Sequence, residues 1–275
     1  MKGMDHTLLM NDGHTIPQLG LGVYKIPDAL AAGTVQIALE AGYRHVDTAA
    51  LYENERGVGE GLARAALPRA EVFVTTKVWN DRHGYDETLR AFDESLAKLG
   101  LDYVDLYLIH WPAPRQDRYV DAYRALETIN ADGRARSIGV SNFHTHHLDR
   151  LLAETDIVPA VNQVELHPWL QQTEVRAYNA AHGILTEDWS PLARGRAIGN
   201  NTLDAIGARH GKSAAQVVLR WHLDLGDVVI PKSVTPSRIR ENLDVFDFTL
   251  DAADHAAIAA LDAGERTGKD PDDLG

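Results

Sequence analysis

Residues 87–112 read ETLRAFDESLAKLGLDYVDLYLIHWP, and their pattern decides the fold. Leu89, Phe92, Leu96 and Leu99 recur at three- and four-residue spacing, the mark of a helix with one apolar face. Gly100 follows, the residue that most easily adopts the left-handed conformation ending a helix. Next comes a β-rich run, 103–110, which ends on a polar residue, His110. The same sequence of helix, glycine, apolar strand and polar strand end repeats along the chain. The strands are expected at 18–22, 44–47, 72–77, 103–110, 137–140, 160–165, 184–187 and 228–231, and Gly42, Gly100, Gly133, Gly183 and Gly226 stand just before five of them. Strands alternating with helices imply a parallel sheet. Eight units without a linker or a break in composition favour a closed (β/α)8 barrel, one domain over 1–275, rather than two doubly wound halves. Ahead of it, 7–17 reads as a hairpin around Asn11-Asp12-Gly13, placed to plug the bottom of the barrel. The polar stretch 265–275 reads as a short, mobile C-terminal surface tail.

The bulk properties agree. At 275 residues the chain has about the size of one α/β barrel, typically roughly 250 residues. With no cysteine there are no disulfides, thiolate nucleophiles or cysteine-held metals. The N-terminus lacks the apolar core of a signal peptide, and no run approaches the ~18 apolar residues of a membrane span. A cytoplasmic protein without membrane contact is expected. The net charge of −13 argues against nucleic acid as a partner, though a local cationic pocket for a small anion stays open.

In such barrels the active site lies at the C-terminal strand ends. The polar residues there are Asp47, Lys77, His110, Ser141 with Asn142, Asn162 with Gln163 and Glu165, Glu187 with Asp188, and Lys232 with Ser233. Tyr52 follows Asp47 closely. A tyrosine phenol alone is a weak acid at neutral pH, with a pKa near 10. A neighbouring ammonium stabilises the phenolate and lowers that value, a carboxylate behind the ammonium holds it in place, and an imidazole can bind the oxygen being protonated. Asp47, Tyr52, Lys77 and His110 come from three adjacent strand ends and can converge into that scheme. Taken singly, a strand-end Asp or Lys is more often a surface ion pair or a helix cap; four that fit one acid–base scheme on the same face outweigh that reading.

These residues sit in motifs that resemble the aldo-keto reductase superfamily over nearly the whole chain. The motifs are GYRHVDTAALYENERGVGEGL (42–62), FVTTKVWN (73–80), LDYVDLYLIHWP (101–112), SIGVSNF (137–143), VNQVELHP (161–168), DWSPLARG (188–195) and VIPKSVTPSRIRENLDVFDF (229–248). WNDRHG (79–84), VVLRWHL (217–223) and the closing NLDVFDF make the chain look most like the bacterial 2,5-diketo-D-gluconate reductase group. The resemblance implies NADPH-dependent reduction of aldehydes and ketones, with keto sugars, 2,5-diketo-D-gluconate, methylglyoxal and small aldehydes as substrate classes. It implies a tetrad in which Tyr52 is the general acid, Lys77 and Asp47 tune it, and His110 orients the carbonyl.

No dinucleotide fingerprint of the G-x-G-x-x-G kind is present. Gly57-Val58-Gly59-Glu60-Gly61 has the wrong spacing, so a dinucleotide would have to bind the barrel mouth another way. Lys232, Ser233, Ser237 and Arg238 place two cations and two hydroxyls beside a helix start, a setting that suits a phosphate. Arg238 and Arg240 can also be read as surface partners of Glu241. The resemblance gives Lys232, Ser233 and Arg238 to the 2′-phosphate of NADPH and Glu241 and Asn242 to the adenine. Ser141, Asn142 and Gln163 go to the carboxamide, Trp189 stacks on the nicotinamide where tyrosine is common among relatives, and Ser190, Leu192 and Gly195 line the pyrophosphate tunnel. Tyr24, Trp79 and Trp111 would line the substrate pocket, with Val23 and the short tail leaving it less walled and broad in specificity.

The run His144-Thr145-His146-His147 reads as a solvated helix start rather than a metal site, and Trp221 and His222 read as core. No catalytic metal and a monomeric state are expected. A non-catalytic NADPH-binding regulatory subunit on the same fold, as in potassium-channel β-subunits, is the alternative function. A metal-dependent barrel hydrolase is a third reading.

Overall fold

The computed structural model describes residues 6–274. Strands β1 (Thr7–Leu9) and β2 (Thr15–Pro17) pair antiparallel, with Leu8 opposite Ile16. Their buried residues Met10 and Ile16 pack against Phe73, Leu106, Leu108, Val161 and Val228, so the hairpin closes the barrel's N-terminal end as expected.

The barrel strands are β3 (Leu21–Gly22), β4 (His45–Asp47), β5 (Phe73–Val78), β6 (Val104–Ile109), β7 (Ala135–Ser141), β8 (Val161–Glu165), β9 (Leu185–Trp189) and β10 (Val228–Val229). Each pairs parallel with the next. The first and last strands are shorter than their sequence runs because the remaining residues form the closing seam. There Gly20 N–H donates to Val229 O at 2.9 Å, Val229 N–H to Gln18 O at 2.9 Å, and Gly22 N–H to Pro231 O at 3.1 Å. Two of its positions leave no room for a side chain: a Cβ on Gly20 would lie 2.6 Å from His45 Nδ1, and one on Gly22 would lie 2.9 Å from Ile230 O.

The helices are α1 (Asp28–Ala41), α2 (Glu55–Ala65), α3 (Tyr85–Leu99), α4 (Tyr119–Ala131), α5 (Thr145–Glu154), α6 (Thr173–Ala181), α7 (Asn201–His210), α8 (Ala214–Asp224), α9 (Pro236–Leu243) and α10 (Ala252–Ala259). Helix α3 ends at Gly100 with φ 65°, and Gly42, Gly133, Gly183 and Gly226 are likewise left-handed. The glycines of α2 serve packing. A Cβ on Gly57 would lie 2.4 Å from Asp28 O of α1, and one on Gly59 would lie 2.1 Å from Leu99 O of α3. Leu39, Val58, Phe92 and Tyr107 belong to the core between strands and outer helices. Leu166, Trp169, Val217 and Trp221 belong to a second core around α8, where Trp221 and His222 are buried as expected.

The tail departs from its reading as a surface segment. Glu265 N–H donates to Trp169 O at 3.0 Å, Thr267 N–H donates to the buried Glu165 carboxylate at 2.6 Å, and Pro271 is buried. Gly268 lies so close to Trp189 that a Cβ there would be 2.5 Å from the indole. Polar and backbone contacts to the rim of the barrel replace the apolar face that the tail lacks.

Candidate active site

Parallel strands all present their C-terminal ends to one rim, and the polar strand-end residues collect there. Asp47 ends β4, Lys77 is the penultimate residue of β5, and His110 follows β6, its N–H bonded to Val78 O at 3.1 Å. Tyr52 stands in a 3-10 turn, Ala50–Tyr52, just after β4. Lys77 is wholly buried, and its Nζ donates to both Asp47 oxygens at 2.7 Å and to Thr48 O at 2.9 Å. That ammonium lies 5.1 Å from the Tyr52 ring centre. The His110 ring stands edge-on to Tyr52 at 5.5 Å, and Trp79 and Tyr24 flank the pair at 5.1 Å from His110 and 5.0 Å from Tyr52. The four residues read as an acid–base set therefore occupy one site, with Tyr52 only partly covered.

The electrostatics differ from the simple expectation of a lowered tyrosine pKa. Burial, then the Asp47 charge, the Tyr24 phenol and Glu187, push Tyr52 well above the usual phenol range. The charge of Lys77 is directed at Asp47, so the phenol keeps its proton. Burial and the nearby charges of Lys77 and His83 hold His110 well below the usual imidazole range. It is neutral and suited to donating a hydrogen bond to a carbonyl oxygen.

Beneath this group lies a carboxyl that sequence reading noted but did not assign. Glu187 on β9 is fully buried and shares Gln163 with Asp47: Gln163 Nε2 donates to Glu187 Oε2 at 2.8 Å and to Asp47 Oδ2 at 2.9 Å. Burial, followed by Asp47, raises the Glu187 pKa to about 8. Glu165 was also noted but unassigned. It anchors the tail and receives His167 Nε2 at 3.1 Å. The available signal was slight: single acids standing within or at the end of the expected strands.

The remaining predicted residues fall in two groups. Ser141, Asn142, Gln163 and Trp189 form one hydrogen-bonded unit. Ser141 Oγ donates to Gln163 O at 2.8 Å, Asn142 Nδ2 to His110 O at 2.9 Å, and Trp189 Nε1 to Asn142 Oδ1 at 2.9 Å. Trp111 faces Trp189 with ring centres 6.4 Å apart. Ser190, Leu192 and Gly195 lie on the next loop, where Ser190, Ala193 and Arg194 adopt left-handed backbone. Lys232, Ser233, Arg238, Glu241 and Asn242 lie apart, between β10 and the end of α9. The reading of Arg238 and Arg240 as partners of Glu241 is not met, because Glu241 Oε1 accepts from Ser213 Oγ at 2.6 Å. Lys232 and Arg238 are exposed, and neither has an ion-pair partner among the described residues. Val23 is fully buried.

The run His144–His147 does open α5, but it is only partly solvated. His147 is buried, and the tail brings Asp270 and Asp272 against the three imidazoles. Among the described residues no helix is long and apolar enough to cross a membrane.

The family model described as Aldo/keto reductase family matches residues 18–263. An aldo-keto reductase of Mycolicibacterium smegmatis is 52% identical over 268 residues, 98% of each chain. Methylglyoxal reductase DkgA of Escherichia coli is 51% identical over 271 residues, 97% of each chain. Among solved structures, a mutant of Gox0644 in complex with NADPH superposes with a TM-score of 0.94 at 49% identity, covering 98% of each chain.

Proposed function

We propose, for a chain that belongs to the aldo/keto reductase family, that it reduces small aldehydes and ketones, methylglyoxal among them, with NADPH as the hydride source and Tyr52 as the general acid. Reduction of a carbonyl is the coarse activity of the enzyme. The observation that carries the finer reading is the joint placement of Tyr52, His110 and the Lys77–Asp47 pair in one cluster at the strand-end rim. Reduced nicotinamide supplies the hydride when bound. The protein's own work is to place the carbonyl and deliver a proton. His110, neutral, donates to the carbonyl oxygen and aims it at the Tyr52 hydroxyl. Tyr52 gives its proton to the oxygen as negative charge develops there. Lys77, fixed by two bonds to Asp47, supplies a positive charge beside the phenolate that remains. Tyr24, Trp79 and Trp111 surround the reacting atoms with rings that exclude water.

The residues present fit the cofactor. Lys232 and Arg238 are exposed cations beside the start of α9, as a phosphate requires. Asn142 fixes the Trp189 indole through its N–H, leaving the ring face to stack. The nitrogen of Gln163 is already engaged by two carboxyls, so its oxygen is the atom that would meet a carboxamide.

The test follows the loss of reduced-nicotinamide absorbance with methylglyoxal, 2,5-diketo-D-gluconate and aromatic aldehydes. Methylglyoxal turnover is expected, and Tyr52→Phe should retain NADPH binding while losing ~10²–10⁴-fold in kcat. Retention of more than about a tenth of kcat would remove Tyr52 from the acid role. Binding without turnover of any carbonyl would favour the non-catalytic regulatory subunit.

A further inference from the structure

We infer that the junction of the first turn of α5 with the C-terminal tail is a binding site for one divalent transition-metal ion, held by His146, His147 and Asp272 with His144 and Asp270 beside them. Asp272 Oδ1 lies 3.1 Å from His146 Nε2 and 3.2 Å from His147 Nε2. Asp270 Oδ1 lies 3.1 Å from His144 Nε2 and accepts Asp272 N–H at 3.0 Å. Donor atoms on a tetrahedral shell about 2.0–2.1 Å from an ion stand about 3.3 Å apart, so the observed separations match the edges of such a shell. The donor atoms of His146, His147 and Asp272 lie within 4.8 Å of one another, as do those of His144, Asp270 and Asp272.

A second feature sets this cluster apart from surface ion pairs. His147 is 2% exposed, and its buried Nε2 makes no hydrogen bond although Asp272 is near. At 3.2 Å the carboxylate stands off the line of that ring nitrogen, which is left as an unpartnered buried atom within reach of the other donors. The other ring nitrogen of His147 is engaged by the helix start itself: Nδ1 accepts His144 N–H at 3.1 Å. Ligation through Nε2 moves the ring proton to Nδ1 and releases that amide, and the bond to the ion replaces it.

The donor chemistry defines the ion. Two imidazole nitrogens with a carboxylate suit zinc, nickel, copper or cobalt, whereas magnesium and calcium prefer all-oxygen shells. The two carboxylates offset the unfavourable placement of a cation at a helix N-terminus. None of Asp47, Tyr52, Lys77 or His110 belongs to the set, so the ion is not part of carbonyl reduction. It would tie α5 to a tail that also rests on Glu165 and Trp189, and so fasten that tail along the cleft.

The experiment titrates untagged full-length protein with zinc chloride against a chromogenic chelator and follows thermal unfolding in parallel. We expect one equivalent bound in the wild type, a rise in Tm, and no competition from magnesium in large excess. Asp272→Asn and His146→Asn replace exposed side chains and should fold. Each should weaken zinc binding by at least about tenfold and remove the rise in Tm. Wild-type protein without a stoichiometric site, equal competition by magnesium, or unchanged affinity in both variants would each overturn the assignment.

Discussion

Removing Lys77 tests whether the strand-end ion pair organises the site or merely occupies it. In Lys77→Met the side chain keeps its approximate length but loses its charge. Its Nζ now contributes three short contacts, two at 2.7 Å to Asp47 and one at 2.9 Å to Thr48 O, with both charged residues at 1% exposure or less. Methionine leaves Asp47 buried without its cation and sharing Gln163 with a second carboxyl, Glu187. Breaking a buried pair from one side costs about 3–5 kcal/mol. For a chain of this size, each kcal/mol lowers Tm by about 2–4 °C, so a drop on the order of 10 °C is expected. Adding Asp47→Asn removes the stranded charge and should recover most of the loss in stability. It should not recover kcat, which we expect to fall ~10²–10⁴-fold in both variants. Differential scanning calorimetry on both variants, with steady-state reduction of methylglyoxal, separates these effects. A Tm for Lys77→Met within about 2 °C of wild type would refute the reasoning. So would a double variant no more stable than the single one.

Three further outcomes follow. Glu187, raised to about 8 from 4.5, keeps a proton in the folded state that the unfolded chain releases, so its contribution is complete below about pH 4.5 and is lost as pH rises towards 8. Buried His45, lowered to about 3 from 6.5, acts oppositely and adds stability as pH rises from 3 to 6.5. Between pH 6.5 and 8 the acids act alone, so denaturant titrations should show stability declining there, and Glu187→Gln should flatten that decline by on the order of 1–2 kcal/mol; an unchanged slope would place the ionisation elsewhere. Arg238→Ala should weaken NADPH ~10–150-fold while barely affecting NADH, read by quenching of tryptophan fluorescence with Trp189 as reporter, and equal losses would make Arg238 structural. Gly59→Ala would put a Cβ 2.1 Å from Leu99 O, so we expect about 1–3 kcal/mol of destabilisation by urea unfolding with kcat unchanged; wild-type stability would show that α2 and α3 can part freely.

What the sequence made legible was local and periodic. The spacing Leu89–Phe92–Leu96–Leu99 and the glycine after it placed α3 and β6 almost to the residue, and polar strand ends located Asp47, Lys77 and His110. The missing parts depend on distant partners without a periodic signature. Glu187 is one acid in a strand, and only the closed barrel sets it beside Asp47 and His45. The tail has no apolar rhythm, and its docking rests on backbone amides reaching Glu165, some 102 residues earlier. Tyr52 was correctly placed with Lys77, but its electrostatics depend on where that ammonium points, which spacing does not reveal.

The seam of the barrel bears on how the protein is made. Gln18, just ahead of β3, donates to Leu223 O across 205 residues, and the outer edge formed by Gln18, Leu19, Gly20 and Gly22 finds its partners only at 229–231. A chain emerging from the ribosome must therefore carry the unpaired edge of its first barrel strand until nearly the whole length has been synthesised. Until then the growing sheet presents open hydrogen-bonding edges of the kind that recruit other chains. The abrupt glycine-lined ending of that strand, only Leu21–Gly22 in regular pairing, keeps the waiting edge short and poor in side chains, a form little suited to templating another strand during translation.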